Sequence, residues 1–188
     1  MTEQELIDGC IRNSRQAQRE LFNLYFNEML GLCMLYCKDR DDSRSVVNQG
    51  FMDVFLHIGG FRQNSSLKTW IKRLMINRAI NFYKQQQSLK DKQVLMDYVQ
   101  LSEMKTQSSE TDMLKKLEAD DIIKLIQSLP FNERSVFTLY EMEGYSHKEI
   151  GEMMGFAEGT SRWHLCNAKK SLQQTIESLK ITYYDKAK

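Results

Sequence analysis

The sequence has 188 residues with a formal net charge of +1, and 27% of its residues are charged. No apolar run approaches the ~20 residues that a membrane-spanning helix needs, and the polar start "MTEQELIDG" is unlike a secretory signal, so we expect a cytoplasmic protein. A single proline, nine glycines and long apolar repeats at three and four residues favour an all-α fold.

Apolar residues at helical spacing predict three helices in the first part of the chain. The first covers residues 14–38 and the second residues 44–58. The stretch "GGFRQNSS" then breaks the pattern with two glycines and caps a third helix that continues through Phe82. These three helices predict one small helical domain, residues 1–86.

The middle of the chain is polar and lacks a sustained apolar period. We therefore predict a flexible linker at residues 87–117, which orders only against a partner. A second helical domain, residues 118–188, opens with an apolar helical face. Its next helix is predicted to begin at the only proline, Pro130, because proline suits the first turn of a helix.

The second domain contains the pattern of a helix-turn-helix. Ser146 and Glu149 have the S-x-x-E spacing of a capping box, and Gly155 is the residue expected where a helix ends in the left-handed conformation. The next helix has a small-to-apolar face made by Ser161, Leu165, Ala168, Leu172, Ile176 and Leu179. This spacing suits a recognition helix in a major groove, although an ordinary helical hairpin with solvated charges has nearly the same pattern.

Charge is distributed unevenly along the chain. Residues 62–92 hold eight Lys or Arg against one acid, residues 93–121 are acidic, and positive charge returns near residue 162. Two separated basic surfaces indicate two contacts with a polyanion. A merely solvated basic face does not require aromatic residues. The first basic segment has four within or beside it, namely Phe61, Trp70, Phe82 and Tyr83.

Two segments resemble a known family. "FRQNSSLKTWIKRLMINRAINFYK" resembles regions 2.3 and 2.4 of sigma factors of the extracytoplasmic-function (ECF) group, and "LPFNERSVFTLYEMEGYSHKEIGEMMGFAEGTSRWHLCNAKKSL" resembles their region 4. The two motifs occur in family order across an irregular linker. The resemblance implies a bacterial protein that binds RNA polymerase core, recognises promoter -35 and -10 elements and assists DNA melting. It also implies that an anti-sigma factor is a partner. The chain itself is not expected to insert into a membrane.

The resemblance and the chemistry of single-stranded DNA indicate a -10 site in the first domain. An unpaired base needs an aromatic wall, polar groups for its edge and cations for the phosphates. The loop at Gly60 and Phe61 would supply the wall and Asn77 the polar edge. The expected phosphate contacts are Arg62, Lys68, Lys72, Arg73 and Arg78. A packing role between helices is an equally consistent alternative for Phe61, and is the favoured role for Trp70.

The expected -35 contacts lie on the helix after the turn. They are Arg162, Trp163, Asn167, Lys169 and Lys170. Arg162 suits guanine, the lysines suit the backbone, and Trp163 packs either on the DNA backbone or against Tyr145. Ala157 departs from the family, which often has a capping hydroxyl there, but Glu158 in the first turn still favours the helix dipole.

The predicted polymerase-binding helix also departs from the family. In "SVVNQGF" at residues 45–51, Ser45, Asn48 and Gln49 stand where the family usually has Asp, Gln and Glu. The expected core contacts are Val47, Asn48, Gln49, Phe51 and Asp53. Since the usual negative charge is lost, the family's salt links cannot be transferred, and the nearby Asp41, Asp42 and Asp53 are the residues that could compensate.

No constellation points to catalysis or to a metal. Cys33 and Cys37 lie one helical turn apart while Cys10 and Cys166 stand alone, so we expect reduced, mostly buried thiols. The histidines lack a Cys-His cluster, and surface or capping roles are expected for them. There is no phosphate-binding loop and no nucleophile with a base, so we expect no enzyme activity, cofactor or metal.

Two alternative functions remain compatible with the sequence. One is a dimeric helix-turn-helix regulator that binds a duplex operator without polymerase, although the basic aromatic segment argues against it. The other is a degenerate sigma-like interaction module whose altered "SVVNQGF" helix titrates a partner without starting transcription.

Overall fold

The computed structural model describes residues 1–94 and 119–186 and consists of helices and their connections. The helices are α1 (Glu3–Ile11), α2 (Arg15–Met34), α3 (Arg40–His57), α4 (Leu67–Val94), α5 (Ala119–Gln127), α6 (Phe131–Phe137), α7 (His147–Met154) and α8 (Glu158–Lys186). A 3₁₀ turn at Ile58–Gly60 follows α3, and a π-helical turn at Thr138–Met142 follows α6. The described residues form no strand, and the expected all-α fold is confirmed.

Helix α1 was not predicted from the sequence. Its start is a complete capping box: the amide of Glu5 donates to the Thr2 hydroxyl at 3.2 Å, and the amide of Thr2 donates to the Glu5 carboxylate at 2.8 Å. Leu6, Ile7 and Cys10 bury the inner face of this helix. The first bundle therefore contains four helices rather than three.

Helices α2 and α3 form as expected with shifted ends. Helix α2 stops at Met34, four residues before the predicted end at residue 38. Helix α3 starts at Arg40 because the Asp39 carboxylate accepts hydrogen bonds from the amides of Asp41 and Asp42. An aspartate cap of this kind satisfies amides that the helix itself leaves free.

Helix α4 is longer than the sequence pattern indicates. It continues to Val94, eight residues into the segment predicted as a linker at 87–117. The rest of that predicted linker lies outside the described residues. This extension agrees with its composition, because Gln, Lys and Leu have helix propensities close to that of the best helix former.

The second bundle is built by α5 to α8. Helix α6 begins directly after Pro130, as expected. Val136, Leu139 and Ile150 are wholly buried between its helices. Most buried apolar side chains of this bundle belong to the same cluster as those of the first, so the two bundles pack against each other. A small separate cluster consists of Leu129, Ala168 and Leu172.

Three of the four cysteines are buried, namely Cys10, Cys33 and Cys37, whereas Cys166 is exposed. Burial raises the pKa of the Cys37 thiol to about 11, and it also raises the pKa of Cys33. Both thiols are therefore protonated at neutral pH, as expected for reduced packing residues. Within 1–94 and 119–186, no helix combines the length and apolar character needed to cross a membrane.

Candidate nucleic-acid interface

Helices α7 and α8 form the predicted helix-turn-helix. The Ser146 hydroxyl accepts from the Glu149 amide at 3.3 Å, and the Glu149 carboxylate accepts from the Ser146 amide at 2.9 Å. The hydrogen bonds from Ser146 lower the pKa of Glu149, which keeps the capping carboxylate charged. The capping box predicted from the sequence is confirmed.

The turn between these helices depends on two glycines. Gly155 has a φ of 81°, a left-handed conformation that glycine adopts without strain. Gly151 lies against the returning chain, and a Cβ atom there would be 2.6 Å from the carbonyl oxygen of Phe156. The absence of a side chain at Gly151 therefore lets the turn fold tightly onto α7.

His147 is a buried connector rather than the surface or capping residue expected from the sequence. Its ring stacks on Tyr140 with centroids 4.4 Å apart, and its Nδ1 lies 2.9 Å from the Oγ of Ser161 on α8. Burial lowers the pKa of His147, and the charge of Arg162 lowers it further. The neutral ring thus fixes the start of α7 against the first turns of α8.

The outer face of α8 presents the side chains predicted for duplex DNA. Arg162, Trp163, Lys169 and Lys170 are exposed, and Asn167 is half-buried. Trp163 is 59% exposed, and among the described aromatic rings it makes an edge contact with His164, which leaves its indole available. The inner residues Ser161, Leu165, Ala168 and Leu172 are buried as predicted, but Ile176 is 39% exposed.

Two of these cations are paired within the second bundle. Arg162 binds the Glu158 carboxylate one turn earlier at 2.5 Å, and Lys169 binds Glu141 of the π-helical turn at 2.7 Å. Both pairs are solvent-exposed, so each contributes little to stability. A DNA phosphate or guanine can therefore replace either carboxylate at low cost.

The predicted single-strand loop follows α3. Gly60 ends the 3₁₀ turn, and the half-buried ring of Phe61 packs on Trp70 with centroids 5.3 Å apart. Gln63 has a φ of 56°. Its side-chain amide nitrogen donates to the side-chain oxygen of Gln4 on α1 at 2.9 Å. Helix α1, which the sequence analysis missed, therefore supports this loop. The packing of Phe61 on Trp70 agrees with either role considered for its ring.

The predicted phosphate contacts of the first bundle differ in availability. Arg62 and Arg73 are exposed. Lys68 pairs with Glu28 at 2.8 Å in an exposed position, and Lys72 pairs with Glu143 of the second bundle at 3.3 Å. Arg78 donates to the Asp53 carboxylate through both Nε and Nη2.

Asn77 is exposed in the middle of α4. Arg73, Asn77 and Asn81 follow each other at intervals of four residues, so they form a row along one side of the helix. Asn81 is exposed as well and has donors and acceptors like those of Asn77. Sequence reasoning missed Asn81, although its spacing of four from Asn77 was the available signal.

Helix α3 places the predicted polymerase contacts in two groups. Val47 and Phe51 are 0% and 1% exposed, so these side chains belong to the core and cannot contact a partner in this conformation. Asn48 and Gln49 are exposed. They share the outer side of the helix with two large apolar residues, Met52 and Leu56.

Asp53 does not supply the missing negative charge on that surface. Its carboxylate is engaged by the Arg78 guanidinium of α4. Asp41 and Asp42 lie in the first turn of α3, about 9 Å or more along the axis from Asn48. The expected compensation is therefore not found at Asp53, and the exposed face of α3 is essentially uncharged between residues 45 and 52.

No metal centre is found in the part of the chain that the structure describes. There, no three or more His, Cys, Asp or Glu side chains are grouped so that they could hold an ion. The site is a set of exposed cations, amides and aromatic rings, which is the chemistry of nucleic-acid contacts.

Comparison with family models gives two matches in the same order as the bundles. Residues 21–89 match "Sigma-70 region 2", and residues 119–172 match "Sigma-70, region 4". The first match contains most of α2, all of α3 and most of α4, and the second contains α5, α6, α7 and the first half of α8. Each predicted DNA surface thus falls within a separate family region.

Relatives match over nearly the whole chain. The chain is 26% identical to the ECF RNA polymerase sigma-E factor of Haemophilus influenzae over 185 residues, covering 95% of this chain and 97% of that protein. It is also 26% identical to the RNA polymerase sigma-H factor of Pseudomonas aeruginosa over 183 residues, covering 94% and 95% respectively.

Solved structures show the same fold at low sequence identity. The sigma factor RpoE of Bartonella quintana, solved with the anti-sigma factor NepR, superposes with a TM-score of 0.56 at 19% identity and covers 85% of this chain and 96% of its own. CnrH, solved with the cytosolic domain of CnrY, superposes with a TM-score of 0.52 at 14% identity and covers 92% and 96%.

Proposed function

Because the chain belongs to the sigma-70 family, we propose that it is an ECF-type sigma factor that binds RNA polymerase core, recognises promoter -35 and -10 elements and assists melting at transcription initiation. The observation that carries the proposal is the presence of two DNA-type surfaces on two different bundles. One lies on α8, and the other lies on α4 and the loop before it. A regulator of duplex DNA alone needs only the first.

The proposed -35 contact uses the exposed side of α8. A helix in the major groove brings the residues of its first turns to the base edges. Arg162 exchanges Glu158 for the O6 and N7 atoms of guanine, and Asn167 meets a base edge or a phosphate. Lys169 and Lys170 hold the backbone, which gives affinity without sequence preference.

The proposed -10 contact captures an unpaired base. Phe61 offers an aromatic face beside Trp70, and Asn77 offers donors and acceptors for a base edge. Stacking of a base on an aromatic ring is worth about 1–3 kcal/mol. That energy favours the open strand because the ring has no access to a base inside the duplex. Arg62, Arg73 and the lysines of α4 then track the phosphates.

The proposed polymerase contact is the neutral outer side of α3. Asn48 and Gln49 supply amide hydrogen bonds, and Met52 and Leu56 supply apolar area. A contact of this kind is screened little by salt, whereas the salt links usual in the family weaken as ionic strength rises. Binding to core should therefore depend only weakly on salt, in contrast to binding of DNA.

The proposed setting is the bacterial cytoplasm, where polymerase and promoter DNA are found. An anti-sigma factor is the proposed regulatory partner, by analogy with the structure of RpoE bound to the anti-sigma factor NepR. Neither catalysis nor a cofactor is part of the proposed role.

A core-binding assay followed by run-off transcription tests the function. The full chain should co-elute with core polymerase and produce a transcript from a template selected by the holoenzyme. A template with both promoter elements scrambled is the control. Duplex binding without any affinity for core would instead indicate a dimeric regulator, and core binding without a transcript would indicate a sigma-like interaction module.

A further inference from the structure

The contact between the two helices of the helix-turn-helix is largely apolar. Ile150 and Met154 of α7 and Leu165 of α8 are at most 8% exposed and belong to the same buried cluster. Apolar burial has no preferred direction, so it tolerates small sliding of one helix along the other. A directional interaction is needed to fix the position of α8 against α7.

A buried hydrogen bond supplies that direction. The Nδ1 atom of His147, the first residue of α7, lies 2.9 Å from the Oγ of Ser161 in the first turn of α8. Ser161 is 0% exposed, and the Tyr140 ring stacks on the imidazole, so water has little access to the bond. A hydrogen bond weakens steeply when its angle changes. This one therefore holds the two helices in one register.

The register matters most for the residue that follows Ser161. In a helix-turn-helix the first helix crosses the DNA backbone, and the first residues of the second helix meet the base edges. Arg162 is proposed to bind guanine with two hydrogen bonds, a geometry that tolerates little displacement. Lys169 and Lys170 contact phosphates as point charges, which tolerate more. A shift of α8 against α7 should therefore reduce discrimination between sequences more than it reduces general affinity for DNA.

The charge of the imidazole decides whether the bond suits its surroundings. A neutral ring can accept the hydroxyl proton of Ser161 at Nδ1, whereas a charged ring has a proton on both nitrogens and can only donate. Burial lowers the pKa of His147, the charge of Arg162 lowers it further, and Glu158 raises it. The ring is therefore neutral at pH 7. A proton gained in mild acid would place a buried charge beside the Arg162 guanidinium.

The other groups near the imidazole do not neutralise such a charge. Tyr140 of the π-helical turn presents an uncharged ring. On α7 itself, Lys148 and Glu149 are exposed, and the Glu149 carboxylate is engaged by the amide and hydroxyl of Ser146.

From these contacts we propose that His147 is a positioning residue for recognition of the -35 duplex, and that its neutral ring, acting through Ser161, holds Arg162 where it distinguishes one base sequence from another. The proposal rests on the proposed sigma function for the duplex contact. The imidazole is 9% exposed, so it acts through α8 rather than by touching DNA. Mild acid should therefore reduce sequence discrimination while general affinity for DNA is retained.

The first test compares Ser161→Ala with Ser171→Ala in the full chain. Each variant removes one hydroxyl from α8, but Ser171 is half-buried and lies ten residues farther along the helix. Fluorescence anisotropy measures binding to a duplex that the wild type selects from a random pool and to the unselected pool. Ser161→Ala should lower the ratio of the two affinities by roughly three- to tenfold, with little change on the unselected pool. A ratio equal to that of Ser171→Ala would overturn the proposal.

The second test changes the histidine while keeping one of its two contacts. His147→Phe keeps a ring for Tyr140 but cannot hydrogen-bond to Ser161, whereas His147→Asn keeps a hydrogen-bonding group that carries no charge. The affinity ratio should fall in His147→Phe and be largely restored in His147→Asn, with thermal unfolding to verify that both fold. Adding Ser161→Ala to His147→Phe should lower the ratio no further, because the same bond is already lost. Additive losses would overturn the proposal.

A pH profile separates the charge of the ring from its packing. The affinity ratio of the wild type should fall between about pH 7.5 and about pH 5, whereas that of His147→Asn should stay constant. His164 is present in both proteins, so its titration affects both alike. Parallel profiles would overturn the proposal and leave the sigma function intact. A wild type that selects no preferred duplex at pH 7.5 would instead overturn the proposed -35 recognition, and the role of His147 with it.

Discussion

The Nδ1 atom of His147 lies 2.9 Å from the Oγ of Ser161, and this hydrogen bond joins the first residue of α7 to the first turns of α8. The imidazole is 9% exposed and stacks on Tyr140. Since Arg162 follows Ser161 directly, the bond sets the position of the first base-contacting residue that we propose.

This histidine should make stability depend on pH. Burial and the charge of Arg162 lower its folded-state pKa, while Glu158 opposes that shift. A histidine whose pKa is lower in the folded than in the unfolded protein contributes its full stabilisation at pH values above the unfolded pKa. It loses that contribution as the pH falls below about 6.5. The stability of the wild type relative to His147→Gln, measured by urea unfolding, should decrease from pH 7.5 to 5.5. Parallel curves for the two proteins would contradict this expectation.

The recognition helix should contain one sequence-specific cation and one general cation. Arg162→Ala should cost about 1–3 kcal/mol on a preferred duplex and much less on random DNA. Lys170→Ala should weaken both alike and reduce the slope of log affinity against log salt by about one. Titrations of both duplexes at several salt concentrations distinguish these cases. Equal losses on both duplexes would make Arg162 a phosphate contact.

The loop before α4 should govern DNA opening rather than duplex recognition. Phe61→Ala and Asn77→Ala should reduce open complex about tenfold or more, because a stacking or edge contact to the unpaired base is lost. Permanganate footprinting measures the melted bases, and Asn27→Ala on the exposed side of α2 is the control.

A pre-melted template separates opening from capture in these loop variants. We expect only partial rescue, because the variants still lack the group that holds the base. Full rescue would show that the residues act in opening alone. Unchanged opening by folded Phe61→Ala would establish the packing role for this ring, so thermal unfolding should accompany the footprints.

Two glycines of the helix-turn-helix should respond oppositely to the same substitution. Gly151→Ala places a methyl 2.6 Å from the Phe156 carbonyl oxygen and should destabilise the protein by about 1–3 kcal/mol. Gly159→Ala meets no atom within 4 Å and should stabilise α8 by up to about 1 kcal/mol. Unfolding of both variants in urea measures the difference. Similar changes in stability would show that the turn relaxes around the added methyl.

Local patterns were sufficient where the structure depends on neighbouring residues. The capping box of Ser146 and Glu149, the left-handed Gly155 and the buried part of the α8 face up to Leu172 all follow from spacings of three or four residues. The same logic was available at Thr2 and Glu5, but α1 is short and its apolar residues are few, so its helical face was not recognised.

Contacts between distant residues could not be predicted in the same way. Nothing near Arg134 in the sequence indicates that its guanidinium reaches the Tyr36 carbonyl, 98 positions away. The exposed positions of Arg162 and Lys170 followed from periodicity, whereas the pairing of Lys72 with Glu143 required the packed bundles. The spacing of four between Val47 and Phe51 places both on one side of α3 and indicates burial, whereas their predicted contact with polymerase came from the family resemblance.

The ion pair between Asp53 and Arg78 connects the helix proposed for polymerase with the helix proposed for DNA. A phosphate that takes the Arg78 guanidinium leaves the Asp53 carboxylate without its partner and so adds a negative charge to α3, whose outer side is otherwise neutral. Because coupling between two binding equilibria is reciprocal, we expect any preference of polymerase for this freed carboxylate to strengthen binding of DNA by the same factor. The ion pair is thereby a link through which the proposed DNA and polymerase contacts influence each other.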